Sequence, residues 1–210
     1  MRHTVTFALV VLSVLLTSKN VQVLAQGANA TTTSESYLSQ SNETLKAAPK
    51  NLREQGVALL AAGDVSKAVE TFSALVRMEK GRTKSGKSDA LADAYHALAD
   101  CQLQIGRQNV AEQSYRNAIS SVQHKERNRA LLADSWLGLG KIAQKNRRYK
   151  EAAQYFHSAL AFEDAAKHGD MADTWKRYAE VLSHLGKTSE AGNAQSNAKR
   201  HEQLHNTQRE

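Results

Sequence analysis

Cysteine and proline are nearly missing from this chain. The 210 residues include one cysteine, Cys101, so no disulfide can form within the chain, and no cysteine stands near the N-terminal apolar run to take a lipid anchor. A single proline leaves little to interrupt helices. No apolar run is long enough to span a bilayer, since the longest runs only from Val5 to Leu16. Aromatics make up only 6% of the residues, while Ala, Leu, Gln, Lys and Arg, which lose little rotamer freedom in a helix, are abundant. With 41% hydrophobic residues the chain can build a core, and the expectation is an all-α protein. Cys101 falls within a predicted helix and reads as a small buried apolar residue with no chemistry of its own.

The N-terminus has the layout of a secretory signal. Arg2 and His3 precede the Val5 to Leu16 run, and Val23-Leu24-Ala25 offers small residues for cleavage before Gln26. The expectation is export, to a periplasm or outside the cell, with no stable membrane insertion after cleavage. Loss of residues 1–25 takes the net charge from +7 to +5, a scattered basicity that does not indicate nucleic acid. Residues 26–46 are rich in Ser, Thr, Asn and Gln with almost no apolar periodicity and read as a disordered polar linker. Within it Asn29-Ala30-Thr31 and Asn42-Glu43-Thr44 match the glycosylation acceptor pattern, which matters only in a eukaryotic host.

Beyond residue 46 the chain repeats itself. Ala92-Asp93-Ala94-Tyr95, Ala133-Asp134-Ser135-Trp136 and Ala172-Asp173-Thr174-Trp175 open three similar stretches. Each continues with a small residue (Ala99, Gly140, Ala179), a turn (Gly106, Arg147, Gly186), an alanine (Ala111, Ala152, Ala191) and another small residue (Ala118, Ala159, Ala198). An earlier copy carries Leu52, Gly56, Leu59, Gly63, Ala68, Phe72 and Leu75 in the equivalent places, and the small residues of the first helices stand 43, 41 and 39 residues apart. Such a period belongs to stacked helical hairpins. Gly56, Ala99, Gly140 and Ala179 let the two helices of a copy approach, and Tyr95, Trp136, Trp175, Phe72, Tyr115 and Phe156 fill the spaces between helices.

These residues resemble the tetratricopeptide repeat family, in the longer-period variety of kinesin light chain. The resemblance implies a right-handed superhelical solenoid of about four antiparallel helix-turn-helix copies, near 49–82, 92–125, 133–166 and 172–205. Arg147 departs from it where glycine is usual, and Gln195 where an aromatic is usual. The family's first helices line a groove that holds a protein or peptide. By matching places, the groove should include Arg53, Val57, Asp93, His96 and Asp100 in the first two copies, then Lys141, Gln144, Lys176 and Glu180. Asp93, Asp134 and Asp173, near expected helix starts, are also explained by capping alone.

Two motifs suggest chemistry. Gly81 to Ser88 satisfies the phosphate-loop pattern GxxxxGK[ST], which would make the chain a nucleotide-binding enzyme through Lys87, but that mechanism needs an apolar strand where a helical pattern stands. A milder reading is a flexible basic loop, Lys80, Arg82, Lys84 and Lys87, in weak contact with an anionic surface. His201-Glu202-Gln203-Leu204-His205 matches the zinc-protease pattern, but no third ligand follows, and the two histidines read as surface residues of a solvated terminal helix. No serine or cysteine catalytic set can be placed. The expectation is an exported, non-enzymatic interaction module without cofactor or metal, with a structural subunit of an envelope or secretion assembly as the alternative.

Overall fold

A computed structural model describes residues 48–162 and 168–207. The signal read in residues 1–25, the linker read in 26–46, and Asn29 and Asn42 lie outside the described residues. Among the described residues every regular element is helical. They are α1 (48–61), α2 (Val65–Arg82), α3 (Asp89–Gln104), α4 (Gln108–Ser121), a 3₁₀ turn (Lys125–Asn128), α5 (Arg129–Lys145), α6 (Tyr149–Leu160), α7 (His168–His184) and α8 (Thr188–Thr207). Each helix packs chiefly on its neighbours in the chain. The product is a solenoid of four hairpins, α1/α2 to α7/α8, the architecture expected from the period.

The same turn closes every hairpin. Gly63, Gly106 and Gly186 hold φ of 79°, 78° and 75°, and Arg147 holds 58° in the third copy. The next amide then reaches back to an orphan carbonyl: Asp64 to Leu59 at 2.9 Å, Arg107 to Gln102 at 2.8 Å, Arg148 to Ala143 at 2.8 Å and Lys187 to Leu182 at 2.9 Å. This is the left-handed helix stop that satisfies terminal carbonyls, and a Cβ at its central residue is a steric burden.

Inside each of the first three hairpins a small residue meets a ring. A Cβ on Gly56 would stand 2.6 Å from the Phe72 ring, and one on Gly140 2.5 Å from the Phe156 ring. Both rings are fully buried, at 1% and 0% exposure, and each is worth about 1.5–3 kcal/mol in burial. Ala99 and Tyr115 share a cluster in the second copy. In the fourth copy Gln195 is exposed, and Trp175 and Tyr178 instead pack on Ala179, Leu182, Ala191 and Ala194. Between copies, Tyr115 also covers Gly138, where a Cβ would lie 2.5 Å from its ring.

Two expectations change. The first helices of copies two to four begin at Asp89, Arg129 and His168, so Asp93, Asp134 and Asp173 lie in second turns, beyond the reach of the terminal dipole. Capping does not explain them. His201, read as a surface residue, is 2% exposed and continues the buried stripe Ala191, Ala194, Ala198 along α8.

Gly140→Ala should destabilise the fold by about 1–3 kcal/mol, because the Phe156 ring has no free space to retreat into. Arg147→Gly should stabilise it by up to about 1 kcal/mol by removing the left-handed strain. Urea unfolding followed by circular dichroism measures both. An unchanged midpoint for Gly140→Ala would contradict the packing described.

Candidate functional site

One face of the solenoid is carried by the first helices, α1, α3, α5 and α7, whose side chains are tied to one another across the copies. Arg53 Nη1 donates to Asp93 Oδ2 at 2.8 Å. His96 Nδ1 lies 2.9 Å from Ser135 Oγ, and Lys141 Nζ lies 3.7 Å from Asp173 Oδ2. Gln144 Nε2 donates to Glu180 Oε2 at 2.9 Å, while its Oε1 accepts from Arg177 Nη1 at 3.5 Å. At the far end Lys176 pairs with Glu202 of α8. Of the residues expected in a groove, only Val57 lines none of the clefts below and stands unpaired, 56% exposed.

Between these cross-links the face opens into clefts. One of about 510 Å³ lies between α3 and α5, rimmed by His96, Asp100, Gln104, Asp134 and Lys141, with Tyr115 of α4 beneath. Tyr115 Oη donates to Asp100 Oδ1 at 2.5 Å, and His96 Nε2 lies 3.4 Å from Asp100 Oδ2. Burial, then the nearby Asp100 carboxylate, push the Tyr115 phenol well above its ordinary value, so it remains a hydrogen-bond donor at every physiological pH. A second cleft, of about 470 Å³, lies between α5 and α7, with Lys141, Gln144, Arg177 and Glu180 around it. A third, of about 550 Å³, holds Asp173, Lys176, Glu202 and His205.

Several contributors escaped the sequence reading. Asp134 and Asp173 could have been placed from the repeat register, since they match Asp93. Tyr115 was read as core filler, which its ring is, but its hydroxyl also reaches the cleft floor. Arg177 and Ser135 carried no signal of their own.

The motifs with chemical overtones serve the fold. Gly81 and Arg82 belong to α2, so a helix enters the phosphate-loop pattern where its mechanism needs a strand. Lys80 and Arg82 are likewise helical, and the segment between helices spans only 83–88. Ser88 caps α3 by accepting from Leu91 N, and its own amide donates to Ser121 O at 2.9 Å. Asp89 accepts from the amides of Gln123 and His124 at 3.0 and 3.1 Å and lies 2.8 Å from His124 Nδ1. Burial raises the Asp89 pKa, but the His124, Gln123 and Asn128 hydrogen bonds outweigh it and hold the carboxyl at about 2. Cys101 is fully buried, and burial pushes its thiol up to about 11, which leaves it inert. Among the described residues no group of three or more His, Cys, Asp or Glu is placed to hold a metal ion, and no helix is long and apolar enough to cross a membrane.

An array of helical hairpins with a cross-linked, cleft-bearing first-helix face defines a repeat protein of the interaction-module class. Residues 92–121 and 135–166 each match a family model described as tetratricopeptide repeat, so the second and third copies are repeats of the tetratricopeptide type. Solved structures with the same fold include BtubC (BKLC) from P. vanneervenii, with a TM-score of 0.63 and 20% identity over 72% of this chain and 62% of that one. This chain therefore spans less than two thirds of the BtubC structure. MamA 41-end from Desulfovibrio magneticus RS-1 gives a TM-score of 0.56 at 13% identity, with coverage of 74% and 76%. A putative kinesin light chain with nearly identical TPR-like repeats from Podosopora anserina gives a TM-score of 0.54 at 18% identity, covering 73% and 74%. No curated protein matches the sequence.

Asp89→Asn should cost about 1–2 kcal/mol at pH 7, the worth of its charge-assisted bonds. Because the folded pKa is depressed, this contribution is complete above the ordinary aspartate value near ~4 and is lost as pH falls toward about 2. Chemical denaturation at pH 7 and pH 2 should show wild type and variant converging at the acid end.

Proposed function

We propose that the chain is an exported adaptor, without catalysis of its own, that holds an extended segment of another protein along the first-helix face. The observation that carries this reading is the line of clefts on α3, α5, α7 and α8, open to solvent and walled by paired charges. The pairs Arg53–Asp93 and Lys141–Asp173 are solvent-exposed and individually worth about 0–1 kcal/mol. Exchanging them for contacts to a partner therefore costs little. The Arg2 to Ala25 signal layout supports export, and the mixed sign of the face suits a polar peptide whose charges fix its register.

Lys141→Glu and Lys176→Glu, made together, place acids beside Asp173 and Glu202. They should reduce capture of the native partner from the exported fraction about tenfold at low salt and leave the helical circular dichroism signal intact. Equal capture by wild type and variant would remove the first-helix face as the binding surface.

A further inference from the structure

The junction between copies two and three holds a built carboxylate site on α4 and α6, away from the first-helix face. Glu112 Oε2 accepts from Arg148 Nη2 at 2.6 Å, and its Oε1 accepts from Arg148 Nη1 at 3.3 Å and from Arg116 Nη2 at 2.9 Å. Arg116 also donates to the Tyr155 hydroxyl at 2.6 Å. The Arg148 hydrogen bond, despite burial, holds Glu112 below its ordinary carboxylate range. The acid, two guanidiniums and the ring tie the two copies together.

The next junction has the same backbone and different side chains. Arg148 and Lys187 occupy identical places in their turns, each amide bonded five residues back, to Ala143 and Leu182. Each also pairs with an acid three residues on, Arg148 with Glu151 and Lys187 with Glu190, both at 2.9 Å. By this register Ala153 stands where Glu112 stood, His157 in place of Arg116, and the buried Ala194 in place of Tyr155. Lys187 keeps the positive charge of Arg148, whereas an imidazole replaces the Arg116 guanidinium and the carboxylate and the ring are gone. Beside Ala153, in the place of the missing acid, a furrow of about 640 Å³ opens between α6 and α7, with Ala194 outside its lining. Lys150, His157 and Lys187 rim it, and Ala153, Tyr178, Leu182 and Leu185 supply apolar lining. None of these residues lines the first-helix clefts.

We infer that this furrow docks an acidic segment of a partner protein, seating a glutamate side chain where the preceding junction carries Glu112. The carboxylate bonds Lys187 and Lys150, and an apolar neighbour in the partner segment covers Tyr178 and Leu185. Lys187 retains donors beyond those given to Glu190, as Arg148 serves both Glu151 and Glu112.

The test is an NMR titration of the full chain with the blocked peptide acetyl-Leu-Glu-Leu-Glu-amide and its glutamine twin. Shift changes should cluster at Lys150, His157, Tyr178 and Lys187, with the glutamine peptide about tenfold weaker. Ala153→Glu, which supplies the missing acid in cis, should abolish binding. Should that variant lose helicity, Lys187→Gln carries the same test and should weaken binding about tenfold. Absence of shifts, shifts confined to the first-helix face, equal response to both peptides, or binding unchanged by these variants would overturn the inference. The Lys141 and Lys176 variants leave this furrow untouched, so the two surfaces fail or survive separately.

Discussion

The helices of a hairpin come together where a residue with almost no side chain meets a ring with nowhere else to go. Gly56 under Phe72 and Gly140 under Phe156 fix the separation of the helices in their hairpins, and Ala99 with Tyr115 does the same in the second copy. That separation sets the stacking, because each hairpin hides its remaining apolar surface only against the next. The left-handed turns return each chain segment at a constant length, so the contact recurs in register. A groove and a furrow are what such a register leaves between side chains that differ from copy to copy.

Much of this could be read from residues alone because the geometry tolerates few alternatives. A position with positive φ selects glycine, and the pressed ring selects glycine or alanine beneath it, so both leave marks at a fixed period. Arg147 shows how firm the frame is: the third turn keeps its left-handed form with a residue that resists it. Other features were not legible. Helix starts were placed too late because the repeat is anchored on core residues, while Ser88 and the connecting 3₁₀ turn set the true boundaries. His201 was misjudged because α8 is polar in composition. Its buried stripe of Ala191, Ala194 and Ala198 has the helical spacing that includes position 201, and small residues give such a stripe little contrast.

Pairing on the first-helix face could be anticipated only in kind. The register named Arg53, Asp93, Gln144 and Glu180, but not that they pair across copies, nor that Lys141 meets Asp173. Cross-copy pairing depends on where a long side chain ends, about 6 Å or more from its backbone, and the repeat pattern constrains only where it begins. The phosphate-loop pattern failed for a related reason. Its residues are common in any short basic connection, and its chemistry depends on a strand that this chain replaces with α2.

The two surfaces obey different energetics, and the difference bears on the binding proposed for each. On the first-helix face opposite charges already satisfy one another in water, so a partner gains selectivity mainly by offering a better-matched set, and affinity there falls with salt. At the furrow the positive groups outnumber the acids beside them, and one copy earlier the chain itself shows the arrangement that balances them. Glu112 with Arg148 and Arg116 is an intramolecular measure of that balance: a carboxylate 16% exposed, held by three hydrogen bonds. A ligand acid must give up translational freedom that Glu112 does not. The furrow alone is therefore a weak site, and it becomes effective when the same partner is held elsewhere on the solenoid, which raises the local concentration of its acid.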